Sequence, residues 1–172
     1  VDSAGASYAG TAYTFAPEEA SSGDPMTAAK AWDWGKNDRG ALGQNNLTSY
    51  SSPKQVPGTT WGRLGRATYY AQHYNMIKTD NTLWTWGRNS DGELGQNSTA
   101  PGISSPVQIP GTNWTAVATG NAWTLAAKSN GTIWTWGTNS TGSLGLNNRV
   151  QYSSPTQIPG TQTEWRIICM GK

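Results

Sequence analysis

The side chains that could carry chemistry are ten tryptophans, a single histidine, a single cysteine and a few scattered carboxylates. Indole faces can stack on sugar rings, so the tryptophans raise glycan binding as one possibility. His73 has no second histidine beside it, and Cys169 has no partner for a disulfide. The chain contains neither a Gly-x-Ser-x-Gly motif nor a phosphate-binding glycine loop. We therefore predict no catalytic residues, no metal site and no cofactor, and a protein that is not an enzyme.

One stretch of the chain is both basic and aromatic. It contains Arg63, Arg66, Tyr69, Tyr70, His73 and Tyr74. This mixture suits a protein interface or an acidic glycan, although an ordinary solvated rim has a similar composition. For the histidine, a hydrogen-bonded structural role is the competing interpretation. We take these residues, together with Trp123, as the candidate binding residues.

A repeated unit of about 50 residues must position these side chains. Trp32-Asp33-Trp34-Gly35 returns as Trp84-Thr85-Trp86-Gly87 and as Trp134-Thr135-Trp136-Gly137, at spacings of 52 and 50 residues. A Leu-Gly pair, a Ser-Ser-Pro triplet and a further tryptophan keep the same step. A period of this length, with several short strands in each unit, is typical of propeller blades.

Short β-strands are predicted within each unit, at residues 83–86, 114–119, 123–128 and 133–136. Asn130-Gly131 indicates a hairpin with a type I′ turn, which needs positive φ at both central residues, and Asp80-Asn81 takes the matching place. No stretch of a dozen residues has helical apolar spacing. The predicted fold is all-β, with about three β-propeller-type blades of four short antiparallel strands. The repeat domain covers residues 26–172, divided into units 26–82, 83–132 and 133–172.

The tryptophans are not equivalent in this pattern. The second tryptophan of the motif recurs in every unit, so we predict that Trp34, Trp86 and Trp136 pack between blades, where large aromatic area contributes most. Trp123 stands where the preceding unit has His73. It is therefore the better candidate for a surface contact.

The repeats resemble those of the regulator of chromosome condensation family over roughly residues 26–172. The shared markers are Trp-Gly, Asn-x-x-Gly-x-Leu-Gly, Ser-Ser-Pro and a late hairpin, and His73 matches a histidine frequent in the family. This resemblance implies a β-propeller. The Trp-rich variety found here, with Leu-Gly-Gln-Asn-Asn, is similar to repeats in virion proteins of marine bacteriophages and in some bacterial surface proteins.

The family resemblance implies several functions. Its founding eukaryotic member exchanges guanine nucleotide on a small GTPase and docks on chromatin, while other members inhibit enzymes or act as scaffolds. Fold alone does not carry activity. This chain has about three units where a complete ring of the family has seven, and it lacks a basic tail. Guanine nucleotide exchange is therefore the remote alternative.

The favoured interpretation is a non-catalytic structural and recognition module of a bacteriophage virion: a fibre, decoration or host-attachment protein. Its partners would be itself, other virion proteins and a host surface protein or glycan, and its location the virion or the extracellular space. The alternative is a propeller that binds or inhibits one protein partner inside or outside a cell, with a cytoplasmic location. A net charge of +2 without clustered basic residues argues against nucleic acid, and no apolar run is long enough to span a membrane.

Residues 1–25 differ in composition, because Ala, Ser, Gly and Thr predominate. They are either a disordered terminus or an arm that lies on a neighbouring subunit, with Tyr8, Tyr13 and Phe15 as anchors. Residues 165–171 align with 114–120, and residues 26–30 resemble part of 123–128, so the two termini are expected to complete one blade between chains. Open β edges invite such pairing, and we expect a homo-oligomer. The chain begins at Val1 without a signal-peptide pattern, and we expect a processed product or part of a longer protein.

Overall fold

The computed structural model describes residues 28–67 and 71–160, which form β-strands, turns and loops and contain no helix. The strands are β1 (Trp32–Gly35), β2 (Tyr50–Gln55), β3 (Trp61–Leu64), β4 (Arg66–Ala67), β5 (His73–Lys78), β6 (Leu83–Gly87), β7 (Ile103–Gln108), β8 (Trp114–Thr119), β9 (Trp123–Lys128), β10 (Ile133–Gly137) and β11 (Tyr152–Gln157). The predicted all-β class is confirmed. No membrane-spanning helix occurs in this described part of the chain.

The strands form three successive sheets. Strands β1 and β2 pair as blade 1; β3, β5, β6 and β7 form blade 2; and β8, β9, β10 and β11 form blade 3. Within blades 2 and 3 all neighbours are antiparallel. The short strand β4 directly follows β3 of blade 2, but it pairs in parallel with β8 and so extends the sheet of blade 3. The four-stranded antiparallel blade is therefore confirmed.

The sequence period and the hydrogen-bonded sheet are out of phase. Divisions at 82/83 and 132/133 fall in the turns between β5 and β6 and between β9 and β10. One complete sheet runs from the start of β3 to the end of β7, and the other runs from the start of β8 to the end of β11. Each sheet thus joins the end of one period to the beginning of the next.

The hairpin at Asn130-Gly131 connects β9 to β10, but the predicted type I′ turn is wrong. Only the second residue has positive φ: Gly131 at 78° and its counterpart Asn81 at 61°. The Gly131 amide donates to the carbonyl of Lys128 at 2.9 Å. The side chain of Asn130 accepts from the amide and hydroxyl of Thr132, at 3.2 and 2.7 Å. This side-chain bonding replaces a second left-handed residue in fixing the turn.

The apolar core lies between blades. One cluster fills the space between blades 1 and 2, which we call the blade 1–2 junction, and consists of Val56, Trp61 and Trp86 with Ala31, Tyr74, Met76 and Trp84 packed against it. A second cluster fills the blade 2–3 junction and consists of Ile77, Leu83, Ile109, Trp114, Val117, Ala126 and Trp136. Blade 2 therefore has a core cluster on each of its two faces, and it is stabilised by both of its neighbours.

The second tryptophan of the repeated motif inserts into a loop of the preceding blade. Trp86 Nε1 donates to the carbonyl of Ala41 at 2.7 Å, and Trp136 Nε1 donates to the carbonyl of Glu93 at 2.9 Å. Both rings are buried. A Cβ at Gly95 would lie 2.9 Å from Trp136 Nε1, so glycine is needed for the approach. The predicted packing of these two tryptophans is confirmed.

The first copy of the motif is different. Trp34 is 40% exposed and Trp32 is 50% exposed, so the predicted burial of Trp34 is not seen among the described residues. The strand suggested by residues 26–30 is also absent from its described part. Ala29 instead exchanges two backbone hydrogen bonds with Trp61 of blade 2, at 2.8 and 3.1 Å.

Candidate functional site

A groove of about 350 Å³ opens at the blade 2–3 junction. We call it the Lys128 groove. Blade 2 supplies its loop residues and blade 3 supplies strand residues; the lining is Gly95, Gln96, Asn97, Pro110, Trp114, Lys128, Trp134, Ser154 and Pro155. The groove therefore combines two indole rings, two prolines, several amide or hydroxyl groups and one cation.

Lys128, the last residue of β9, is held against two indole rings. Its Nζ lies 4.5 Å from the ring centre of Trp114 and 4.7 Å from that of Trp134. The rings are 6.3 Å apart and nearly perpendicular, at 75°. Trp134 Nε1 donates to the hydroxyl of Thr132 at 2.9 Å, and this hydroxyl bonds to Asn130. The ring is thus fixed by the hairpin turn, and it positions the cation by cation–π attraction.

The polar wall of the groove is fixed across the junction. Asn97 has φ of 53°, its amide donates to the carbonyl of Ser153 at 2.7 Å, and its Oδ1 accepts from Ser154 Oγ at 3.1 Å. Gln96 Nε2 donates to the carbonyl of Gln108 at 3.2 Å. The two Asn97 bonds join blade 2 to blade 3, whereas the Gln96 bond lies within blade 2 and holds the loop against β7.

The blade 1–2 junction has the same arrangement of cation and rings. Lys78 Nζ lies 4.9 Å from the ring centre of Trp61 and 3.8 Å from that of Trp84. The two rings are 6.2 Å apart at 86°. The arrangement is therefore a property of the repeat.

The two lysines differ in their acidic neighbours. Asp80 stands in the turn beside Lys78, and hydrogen bonds from Thr82, followed by the charge of Lys78, lower the pKa of that carboxyl. The next repeat has Asn130 in place of the aspartate. Among the described residues, no carboxylate forms an ion pair with Lys128.

The structure separates the residues predicted to bind. His73 is fully buried, and its Nε2 lies 3.0 Å from Thr124 Oγ1. Burial, with a smaller effect of Arg88, lowers the pKa of His73 to about 3, so the ring is neutral. Tyr74, the next residue, lies on the other face of the sheet, in the blade 1–2 junction, where its ring stacks on Trp86 with the ring centres 6.1 Å apart. Burial raises the pKa of Tyr74 to about 12. His73 therefore has a structural, hydrogen-bonded role, and the side chains of His73 and Tyr74 do not lie on one surface.

The other candidates lie apart from this pair. Arg63 is exposed and its Nη1 donates to the carbonyl of Thr115 at 2.9 Å, while Trp123 is partly buried. The side chains of Arg66, Tyr69, Tyr70, Tyr8, Tyr13 and Phe15 fall outside what the structure describes. A binding role for these residues stays a prediction.

Sequence reasoning missed the Lys128 groove. The available signal is a lysine six residues before the first tryptophan of the motif, at Lys78 and again at Lys128. That spacing places a cation at the end of one strand and an indole in the next strand of the hairpin. Within the described residues, no group of three or more His, Cys, Asp or Glu side chains forms a metal site.

The family model of the Regulator of chromosome condensation (RCC1) repeat matches residues 80–127 and 130–171. Protein RCC2 homolog from Danio rerio is 29% identical over 107 residues, covering 61% of this chain and 22% of the relative. E3 ubiquitin-protein ligase HERC2 from Homo sapiens is 31% identical over 98 residues, covering 55% of this chain and 2% of the relative. The chain thus spans a small part of the length of these relatives.

Solved structures agree with this match. The crystal structure of Prp20p from Saccharomyces cerevisiae has a TM-score of 0.68 at 21% identity, covering 77% of this chain and 34% of that protein. The crystal structure of human WBSCR16 has a TM-score of 0.66 at 21% identity, with coverage of 77% and 34%. At this identity the likeness shows the fold alone. Together with the family match over more than half of its residues, it establishes that the chain belongs to the RCC1 repeat family and that its sheets are blades of an RCC1-type β-propeller.

Proposed function

We propose that this chain is a non-catalytic, protein-binding propeller module, and that the Lys128 groove takes a segment of the partner that carries a carboxylate. The observation that supports this most is the ammonium group of Lys128, held over two indole rings in an open groove and without a carboxylate partner among the described residues.

The chemistry of the groove fits a peptide segment. Aromatic side chains are enriched at protein interfaces, and cavities of several hundred cubic ångströms suit a few side chains of a partner. Trp134 and Pro155 offer apolar contacts, while Gln96 and Asn97 line the polar wall. A carboxylate placed beside Lys128 would make a charge-assisted hydrogen bond.

Relatives with the same fold support protein binding as the kind of function. Prp20p was crystallised in a study of its binding to Gsp1p and histones, and yeast RCC1 (Prp20) was crystallised bound to Kap60. These partners belong to that protein. The relatives named above give no support to a virion role, so we propose the alternative, a propeller that binds one protein partner, with a cytoplasmic location. Guanine nucleotide exchange is not proposed, since the likeness to Prp20p shows the fold alone.

The groove can be tested with a library of random twelve-residue peptides displayed on phage and selected against the immobilised 172-residue chain. Selected peptides should be enriched in Asp and Glu. Calorimetry should then show a loss of affinity of about tenfold or more for Lys128→Gln, because one charge-assisted bond is removed.

The matched control is Lys36→Gln, since Lys36 is exposed and pairs only with Asp38 among the described residues. This variant should change the affinity by less than about twofold. Thermal melts of both variants would separate loss of binding from loss of folding. Peptides without acidic residues, or equal binding by the Lys128→Gln chain, would contradict the proposal.

A further inference from the structure

The turn that joins β9 to β10 holds the single Asn-Gly pair of the chain, Asn130-Gly131. In such a pair the backbone nitrogen that follows the asparagine can attack the side-chain carbonyl carbon, because glycine has no side chain to hinder the approach. The reaction is a deamidation, and it converts the asparagine into aspartate or isoaspartate. This turn is therefore a candidate site of covalent modification.

Asn130 is exposed, and its counterpart in the preceding repeat shows that a following blade does not cover this position. That counterpart, Asp80, is exposed as well. Yet the carbonyl of the neighbouring Asn81 accepts a hydrogen bond from the amide of Trp114 in blade 3, at 3.0 Å. The turn position thus stays open to water when the next blade is in place, and water is a reactant in deamidation.

The side-chain carbonyl of Asn130 is held in a way that favours attack on its carbon. Asn130 Oδ1 accepts from the amide and the hydroxyl of Thr132, at 3.2 and 2.7 Å. The same hydroxyl accepts from Trp134 Nε1 at 2.9 Å, which strengthens its own donation. Two donors aimed at a carbonyl oxygen stabilise the negative charge that develops there when a nucleophile adds. The hairpin therefore promotes the first step of deamidation.

The preceding repeat shows what a carboxylate at this position does. Asp80 follows Lys78 by two residues, and its Oδ1 accepts from the amide and the hydroxyl of Thr82, at 3.0 and 2.6 Å. These hydrogen bonds, followed by the charge of Lys78, lower the pKa of Asp80. The carboxylate and the lysine therefore attract each other across the turn. Asn130 follows Lys128 by the same two residues.

We propose that Asn130 deamidates spontaneously, and that the carboxylate formed weakens the binding of an acidic segment in the Lys128 groove. The first part stands on the turn alone, whereas the second rests on the function proposed above. Water does not restore the amide, so each chain passes once from the stronger binding form to the weaker one.

The reaction has two steps and consumes water. In the first, the Gly131 nitrogen gives up its hydrogen bond to the Lys128 carbonyl and bonds to Asn130 Cγ, while the bond from Cγ to the side-chain nitrogen breaks. The proton lost by the Gly131 nitrogen passes through solvent to the leaving group, which departs as ammonia. In the second, water adds to either carbonyl carbon of the cyclic imide and opens it to aspartate or isoaspartate.

Mass spectrometry of the full 172-residue chain tests the site. The chain is incubated at pH 8 in heavy-oxygen water and cut with trypsin after Lys128 and Arg149, which releases residues 129–149. Asn130 should become an acid with one heavy oxygen, and both aspartate and isoaspartate should form, as the cyclic imide requires. Asn139 lies in the same fragment and should stay intact, because it is buried and its side chain is hydrogen-bonded.

Gly131→Asn is the matched control, because it copies the residue that the preceding repeat has at this point. Asn81 has φ of 61° there, so asparagine tolerates the conformation that Gly131 adopts at 78°. Deamidation of Asn130 should slow by about tenfold or more, because the added side chain obstructs the attacking nitrogen. An unchanged melting temperature would show that the turn is kept.

Asn130→Asp tests the consequence, because it fixes the product in every chain. Calorimetry with an acidic peptide from the display selection should give an affinity about threefold lower, as expected for one added charge several ångströms away in a hydrated groove. Added salt should reduce the difference. Asn130→Ser is the uncharged control, and it should bind the peptide as the unaltered chain does.

Contrary results would separate the chemistry of Asn130 from the function of the groove. Deamidation of Asn130 no faster than that of Asn139, or equally fast in the Gly131→Asn chain, would overturn the site. Equal affinity of the peptide for the unaltered and Asn130→Asp chains would overturn its effect on the groove. Acidic peptides that bind the Lys128→Gln chain unchanged would refute the proposed function and that effect with it, while the mass spectrum still decides whether Asn130 reacts.

Discussion

The two blade junctions are formed by the same tryptophan-to-loop contact, but the side chains packed around that contact differ in kind. The blade 1–2 junction is aromatic: Trp61 and Trp86 have ring centres 5.7 Å apart, and Tyr74 stacks on Trp86 at 17°. The charge of Asp33 adds to burial in raising the pKa of Tyr74, and Asp33 stands where the other repeats have threonine. Burial raises the pKa of Asp33 to about 6.

The blade 2–3 junction adds a buried polar layer. Thr124 Oγ1 lies 3.0 Å from His73 Nε2 and donates to the Glu93 carbonyl at 3.0 Å. Asn75 Nδ2 donates to Thr119 Oγ1 at 3.0 Å. All five residues are buried. Directional bonds of this kind favour one relative position of two blades, whereas apolar surfaces tolerate several. The tryptophan-to-loop contact is therefore common to the repeats, whereas the other side chains decide how specific each junction is.

Removing the shared tryptophan should have the largest effect, and should affect both junctions alike. Trp86→Ala and Trp136→Ala should each lower the free energy of unfolding by about 3–5 kcal/mol, because each leaves a large cavity between blades. Urea unfolding monitored by circular dichroism would measure this loss in the free energy of unfolding. A much smaller cost for Trp136→Ala would show that the polar layer holds blades 2 and 3 together without the indole.

Removing one hydroxyl from the polar layer should have an intermediate effect. Thr124→Val should cost about 1–3 kcal/mol, because His73 and the Glu93 carbonyl lose a buried partner. Thr85→Val is the matched control, since the Thr85 hydroxyl is also buried but has no hydrogen-bond partner among the described residues. That variant should be neutral or more stable in the same urea assay. Equal losses in the two variants would contradict a stabilising role for the layer.

The two junctions should respond to pH in opposite directions. The pKa of Asp33 is raised from 3.8 to about 6, so its contribution to stability is full below about pH 4 and is lost as the pH rises through 6. The pKa of His73 is lowered from 6.5 to about 3, so its contribution is full above about pH 6.5 and is lost as the pH falls. Between pH 4 and 6 the two contributions oppose each other.

Single substitutions should expose these opposed slopes. On acidification from pH 6 to 4, the Asp33→Asn chain should lose stability relative to the unaltered chain by about 1 kcal/mol per pH unit, and the His73→Gln chain should gain by a similar amount. Urea unfolding at pH 4, 5 and 6 gives both slopes. Three parallel curves would show that neither group is as buried in solution as in the structure.

Much of the fold could be predicted from the sequence because the repeats identify their own strands. Alternation and turn residues place β6, β8, β9 and β10. The outer strands β2, β7 and β11 could not be placed, because their Ser-Ser-Pro triplets have the composition of a turn. Proline is tolerated there because each of these strands lies at the edge of its sheet, where an amide hydrogen is not needed.

The candidate site was harder to predict, for two physical reasons. His73 and Tyr74 are adjacent in sequence, yet successive side chains in a strand face opposite sides, so nearness in sequence misplaces them. The Lys128 groove joins residues of four strands and two loops, and Trp114 meets Trp134 only through the register of three strands. Register depends on the whole sheet and not on any local motif.

The phase difference between the sequence period and the sheets bears on how such arrays gain and lose units during evolution. If recombination removes one period between equivalent points, for instance from the turn before β6 to the turn before β10, strands β3 and β5 become joined to β10 and β11. The product is again a sheet of four antiparallel strands with a complete loop and a complete outer edge. An unequal crossover at any equivalent pair of sites therefore leaves no half-sheet behind, and the number of blades can change in a single genetic event.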